Sequence, residues 1–181
     1  MDARQRLKEI LQKKALQIGR FTLAHGGESN YYIDAKQIIH DPETGSFIGE
    51  LIYGMIGDRH TDYIGGLMYG AIPIAFSVSH YAFYQHRKNI PVVCVRKEAK
   101  KHGTQKYIEG TIEKGGRIVV VEDVVSTGKS VLTAIDRLKE AGLEISMIIS
   151  IVDRDMGGRE SLRDYDYHPI FSIDELLRTE P

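Results

Sequence analysis

The sequence predicts an α/β protein, an open and mostly parallel sheet flanked by helices. Three observations predict it. Residues 90–95, 118–121 and 145–152 form continuous apolar runs rich in β-branched side chains, as expected of strands buried on both faces. Helical stripes alternate with these runs, which implies right-handed strand–helix–strand crossovers. The stripe between the last two runs, Val131, Leu132, Ile135, Leu138 and Ala141, closes on Gly142, a natural C-terminal cap. In such sheets ligands dock beyond the C-terminal ends of the strands, so the residues that follow each run are the ones to read for chemistry.

Taken in order, residues 3–18 place Leu7, Ile10, Leu11, Ala15 and Ile18 at helical spacing. Short strands at 21–23 and 31–33 flank a Gly26–Gly27 turn and predict a hairpin. Residues 41–45, Asp-Pro-Glu-Thr-Gly, make a turn or helix start, and Phe47, Ile48, Leu51, Ile52, Met55 and Ile56 repeat at helical spacing after it. Residues 63–67 are a short apolar run interrupted by Gly65 and Gly66, and a helix from Ile72 carries Ala75, Phe76, Val78, Ser79, Ala82 and Phe83 in or near its buried stripe. No linker, internal repeat or low-complexity segment interrupts the pattern, so residues 1–181 are expected to form one domain.

Composition excludes several classes. Of the 181 residues 42% are hydrophobic and 27% charged, the balance of an ordinary globular protein. A formal net charge of −1 provides no global field to attract nucleic acid or anionic lipid; any bound anion must be held by a local cluster. The single cysteine, Cys94, sits inside an apolar run and reads as a small buried hydrophobe in a reducing compartment. The N-terminus leads into a charged amphipathic stretch, and no run approaches 18 apolar residues, so the expectation is a cytoplasmic protein with no membrane and no nucleic-acid partner.

The most informative segment runs from Ile118 to Ser130: an apolar strand, the pair Glu122–Asp123, a loop with Ser126, Thr127 and Gly128, then a helix start at Lys129–Ser130. Backbone amides at a helix N-terminus, with hydroxyls beside them, make an anion site. The two carboxylates would repel a phosphate placed on them, but they suit the hydroxyls of an adjoining sugar, or a Mg²⁺ ion. A phosphate loop of the Walker type would need glycine five residues before Gly128; that residue is Asp123.

Residues 120–128, Val-Val-Glu-Asp-Val-Val-Ser-Thr-Gly, closely resemble the phosphoribosyl pyrophosphate motif of type I phosphoribosyltransferases. The resemblance implies that family's fold, with residues of about 1–40 forming an N-terminal helix and hood hairpin over an α/β core of about 41–181. It also implies that the acidic pair contacts the ribose hydroxyls while the loop cradles the 5′-phosphate.

A second segment points to the acceptor. Arg96, Lys97, Lys100 and Lys101 against Glu98 give a local charge of +3 at the end of a core strand, with His102 and Gly103 following. Residues 103–110 carry glycine at each end and read as a flexible lid. This run resembles the signature loop of orotate phosphoribosyltransferases. Residues 21–34 are similar to the hairpin that covers the base site in that family, and residues 66–75 to its pyrophosphate loop and following helix. Arg154, after the last apolar run, matches the arginine placed on orotate, a task that suits a planar guanidinium. Three features depart from the family pattern: no lysine stands at Ala24 or Gly27 of the hairpin, although His25 offers a partial substitute; Gly70 follows Tyr69 where lysine is common; and Glu122 stands where aspartate is common.

The resemblance therefore implies catalytic roles for Lys100, His102 and Asp123. It implies phosphoribosyl pyrophosphate contacts from Tyr69, Arg96, Lys97, Lys100, His102, Glu122, Asp123, Val124, Val125, Ser126, Thr127, Gly128, Lys129 and Ser130. Orotate contacts fall to Ser126, Arg154, Tyr31 and Tyr32. Mg²⁺ is the expected cofactor, held mainly through the substrate, with Glu122 and Asp123 its candidate protein ligands. A homodimer is implied, with Arg96, Lys100 and His102 reaching the neighbouring site. Two other readings of the motif stay open: transfer to a different base, and a non-catalytic sensor of phosphoribosyl pyrophosphate.

Overall fold

A computed structural model describes residues 2–22, 28–98 and 107–178. The chain opens with α1 (Ala3–Ile10), whose cap residue Asp2 accepts a hydrogen bond from the Gln5 N–H at 2.8 Å. A π-helical turn (Leu11–Ala15) carries it into β1 (Leu16–Thr22), which pairs antiparallel with β2 (Glu28–Ile33). The helix expected through residue 18 thus ends at Ala15. Leu16 and Ile18 pair with Ile33 and Tyr31 instead, and Ile18 is 72% exposed. The apolar spacing of Ile18 fitted a helix, but the ladder with the second strand decides the conformation.

Next come α2 (Lys36–Ile39) and α3 (Pro42–Ile56). The Asp41 carboxylate accepts from the Thr44 N–H at 3.0 Å and Pro42 opens the first turn, so residues 41–45 are a helix start. The remaining elements are β3 (Tyr63–Leu67), α4 (Ala71–His86), β4 (Val92–Val95), β5 (Ile108–Glu109), β6 (Arg117–Val125), α5 (Lys129–Glu140), β7 (Glu144–Asp153), α6 (Gly158–Ser161), β8 (Tyr167–Ser172) and α7 (Ile173–Leu177). Six strands form one sheet in the order β5-β4-β3-β6-β7-β8, parallel throughout except for β5 against β4.

Side chains along β6 alternate between two cores, as strand geometry requires. Val119 and Val121 pack with Ile48, Ile52 and Ile56 of α3 and Ile74 and Val78 of α4. Ile118 and Val120 pack on the other face with Val131, Ile135 and Leu138 of α5. The strand does not stop before the acidic pair, as the sequence pattern suggested; its ladder with β7 continues to Val125–Asp153. Glu122 and Asp123 are therefore held by a sheet and aimed to opposite faces of its C-terminal end.

Candidate active site

Two cavities open side by side at that end of the sheet. One, about 460 Å³, is lined by residues 124–131 together with Leu67, Lys97, Glu122 and Thr133. The other, about 340 Å³, lies between residues 32–36, residues 67–70, Asp123 and Arg154. Leu67, Lys97, Glu122, Val124, Ser126 and Ser130 line both, so the two are one cleft divided by the tip of β6.

At the divide, Glu122 is 7% and Asp123 5% exposed. The Asp123 N–H donates to Glu122 Oε1 at 3.2 Å, and the Val124 N–H donates to Asp123 Oδ1 at 2.9 Å. Lys36, from α2, donates its Nζ to Asp123 Oδ2 at 3.1 Å. Gly70 lies against the same carboxylate, since a Cβ added there would sit 2.5 Å from Asp123 Oδ1. Burial, followed by the hydrogen bond to Asp123 and its charge, pushes the Glu122 carboxyl well above the usual range. For Lys36 burial opposes the charge, but Asp123 and, more weakly, Asp34 and Glu122 outweigh it and raise the ammonium pKa. Two anchored carboxyl groups of this kind accept hydrogen bonds from neutral hydroxyls; they do not attract an anion.

The larger cavity has the opposite character. Gly128 takes φ +78°, a conformation open to glycine without steric cost, and turns the chain into α5. Among the described residues no side chain caps α5, and its first turn contains no acid, so the first amides stay available to an anion. Ser126, Thr127, Lys129 and Ser130 line this wall. Val125 is packed into the core beneath the loop, while Val124 borders both cavities.

Arg154 closes the smaller cavity. Its N–H donates to the Val125 carbonyl at 2.8 Å, which fixes the backbone beside the anion loop. The preceding Asp153 is fully buried and its Oδ1 accepts from the Asp155 N–H at 2.9 Å, holding the turn. The Arg154 guanidinium lies 5.2 Å from the Tyr31 ring and reaches Ser126 Oγ at 3.5 Å. Its Nε and second terminal nitrogen are buried and make no hydrogen bond among the described residues. Buried guanidinium donors without acceptors are costly, and these two leave this wall of the cavity able to donate to a ligand oxygen. Tyr32 borders this cavity, its ring 5.6 Å from Phe21.

Tyr69, 77% exposed, and Lys97 border both the smaller cavity and a shallow one shared with Arg96 and Glu98. Arg96 is turned elsewhere: its guanidinium pairs with Glu109 at 3.2 Å, and it does not line the main cleft of its own chain. The Arg96 N–H donates to the Tyr107 carbonyl at 2.8 Å, which holds together the two ends of the basic segment. Lys100 and His102, with the rest of residues 99–106 and the hairpin turn at 23–27, lie outside the described residues.

Residues 34–176 match the family model of the phosphoribosyl transferase domain. The orotate phosphoribosyltransferase of Aquifex aeolicus is 38% identical over 179 residues, covering 96% of this chain and 97% of the relative. That of Streptomyces coelicolor is 40% identical over 163 residues, 90% and 89% of the two chains. The chain belongs to the orotate phosphoribosyltransferase family. The crystal structure of the Mycobacterium tuberculosis orotate phosphoribosyltransferase with Fe(III) dicitrate superposes with TM-score 0.85 at 32% identity, covering 97% of this chain and 99% of that one. Its complex with 5-phospho-alpha-D-ribosyl 1-diphosphate gives TM-score 0.80 at 28% identity over 96% and 98%. An adenine phosphoribosyltransferase from Leishmania tarentolae, 17% identical with TM-score 0.67 over 95% of this chain, shares the fold.

Within this orotate phosphoribosyltransferase fold, one cleft gathers Tyr32, Tyr69, Lys97, Glu122, Asp123, residues 124–130 and Arg154, drawn from five separate segments of the sequence. Sequence reasoning missed Lys36. It stands two residues beyond the recognised hairpin, in a four-residue helix with no motif of its own, 87 positions from its partner Asp123.

Proposed function

We propose that this chain transfers the 5-phosphoribosyl group from phosphoribosyl pyrophosphate to N1 of orotate, giving orotidine 5′-phosphate and pyrophosphate for pyrimidine synthesis. The carrying observation is the divided cleft: an anion-binding helix start on one side of a buried acidic pair, an unpaired buried guanidinium on the other. The 5′-phosphate takes the amides of α5 and the hydroxyls of Ser126, Thr127 and Ser130. The ribose hydroxyls donate to Glu122 and Asp123. Orotate lies against Arg154 and Ser126, under Tyr31 and Tyr32.

The C1–oxygen bond to pyrophosphate loosens ahead of attack, so positive charge develops on the ribose as in other glycosyl transfers. No covalent intermediate with the protein is required. The chain holds acceptor and C1 in line and stabilises negative charge growing on the leaving diphosphate. Lys97 and Tyr69 border that end of the cleft; Lys100 and His102 are assigned to it by their place in the basic segment.

Mg²⁺ fits this donor set. Magnesium is commonly held by one or two carboxylates plus substrate phosphates, and the cleft offers Glu122 and Asp123. When bound, the ion would neutralise charge on the diphosphate. We further propose one domain over residues 1–181, because one of the two apolar cores that sandwich the sheet draws side chains from Leu7 of α1 to Leu176 of α7. A homodimer with the basic segment acting in trans is supported by two features. Arg96 pairs with Glu109 and does not line the main cleft of its own chain, and Phe76, Phe83 and Tyr84 leave α4 with an exposed aromatic face, larger than isolated surface hydrophobes require. Among the described residues no helix is long and apolar enough to cross a membrane, and a cytoplasmic location is the proposal.

The direct test mixes protein, Mg²⁺, phosphoribosyl pyrophosphate and one acceptor, and follows ultraviolet absorbance. Orotate is expected to be consumed, with adenine, hypoxanthine and uracil inert. Consumption of another base, or of none, would overturn the assignment.

A further inference from the structure

We propose that Lys36 is a diphosphate ligand of this enzyme: the cation that waits on Asp123 in the empty cleft and moves to the leaving group when substrate binds. This rests on the phosphoribosyl transfer proposed above and adds a residue to it.

The argument begins with charge. The smaller cavity brings Asp34, Glu122 and Asp123 together with Lys36, Lys97 and Arg154. Lys36 is pinned to one acid, its Nζ 3.1 Å from Asp123 Oδ2 and 3.8 Å from Asp34 Oδ1. When ribose hydroxyls donate to Asp123, the sugar takes over lone pairs that Lys36 now occupies. The ammonium is then displaced beside a polyanion.

Position selects which part of the substrate it meets. The Asp123 carboxylate that Lys36 holds is the same one that packs on Gly70. This places Lys36 on the wall formed by Tyr69 and Gly70. Arg154 sits on a different wall, against Ser126 and Tyr31. An acceptor bound at Arg154 therefore lies against a different wall of the cavity from Lys36, whereas a group leaving C1 toward Tyr69 meets it.

Gly70 explains why a distant residue supplies this charge. With 2.5 Å between an added Cβ and Asp123 Oδ1, no side chain fits at position 70 while Asp123 stays in place. Residues 67–70 of that loop line the cavity without contributing a cation. A lysine at the start of α2 has the reach, and its side chain is half exposed, free enough to swing. Holding it on Asp123 until substrate arrives also keeps a buried carboxylate from standing alone, which would be costly.

The experiment compares Lys36→Met and Lys36→Arg with the parent protein by calorimetric titration of phosphoribosyl pyrophosphate with Mg²⁺, and by kinetics in both directions. Lys36→Met should weaken phosphoribosyl pyrophosphate about tenfold, as loss of one charge-assisted contact does. It should raise KM for pyrophosphate in the reverse reaction comparably and lower kcat on the order of 10²-fold. KM for orotate and for orotidine 5′-phosphate should not move, and Lys36→Arg should recover part of the loss. Unchanged affinity for both diphosphate substrates, an effect confined to orotate, or an equal loss for all four substrates with lowered thermal stability would overturn the proposal. Calorimetry reads phosphoribosyl pyrophosphate without any acceptor, so a failed orotate assignment leaves the test of Lys36 intact.

Discussion

Glu122 accepts a hydrogen bond at 3.2 Å from the backbone N–H of Asp123, so the two acids at the tip of β6 are tied within one dipeptide. Burial of Glu122, with Asp123 beside it, holds its folded pKa well above the ordinary 4.5. Between that value and the raised one, the folded state binds more protons than the unfolded chain, and stability must fall as pH rises through the window. Each unit of displacement costs about 1.4 kcal/mol at pH values above the folded pKa. Glu122→Gln removes the ionisation while keeping an acceptor. Urea unfolding across a pH series should show the variant more stable than the parent at neutral pH and equal or less stable near pH 4. Turnover should fall by roughly 10- to 100-fold, the worth of one charge-assisted bond to ribose. A parent protein whose stability is flat from pH 4.5 to neutrality would contradict this account.

The Arg154 guanidinium supplies the second expectation. Two of its nitrogens are buried without acceptors among the described residues, so the side chain costs stability until a substrate oxygen arrives. Arg154→Met should raise the melting temperature of the free protein or leave it unchanged, while kcat/KM for orotate falls on the order of 10²-fold or more. Arg154→Lys should rescue little, because a point charge does not replace a planar fork. Affinity for phosphoribosyl pyrophosphate should stay near that of the parent; a matching loss there would place Arg154 on the wrong substrate.

These cases show what was legible in the sequence. The strands β3, β4, β6 and β7 were visible because burial on both faces leaves near-continuous apolar runs. The acidic pair stood out because such a run ends in charge. β8 was not visible: Tyr167, His168 and Pro169 begin it, and a proline reads against a strand except at an edge, where one side of the ladder is unpaired. β5 is two residues long and leaves no period to detect. Lys36 was illegible for a different reason. Its role comes from tertiary proximity to Asp123, and no local pattern encodes a partner 87 residues away.

Gly128 gives a backbone test. At φ +78° an L-side chain is strained by about 1–2 kcal/mol, even though an added Cβ would meet no atom closer than Ser161 Cβ at 3.3 Å. Gly128→Ala should lose about that much stability in urea unfolding. As the first amides of α5 turn from the phosphate, affinity for phosphoribosyl pyrophosphate should drop by about tenfold, the worth of one such bond. Orotate affinity measured in the presence of saturating phosphoribosyl pyrophosphate should be unaffected. A variant of parental affinity would remove the loop from phosphate binding.

The proposed homodimer with a trans-acting segment makes the most discriminating prediction. Lys100→Ala should lower kcat on the order of 10²-fold by removing charge stabilisation from the leaving diphosphate, and Asp123→Asn should disable the cleft itself. If Lys100 serves the partner's cleft, one site in each mixed dimer combines an intact segment from the Asp123→Asn subunit with an intact cleft from the Lys100→Ala subunit. Random exchange of equal amounts makes half of all dimers mixed, each with one whole site of two, so about one quarter of parental activity returns. If Lys100 serves its own cleft, every site in the mixture carries one defect and nothing is recovered. Activity measured after denaturing, mixing and refolding the two inactive variants decides between the arrangements, because complementation requires both a dimer and a shared site.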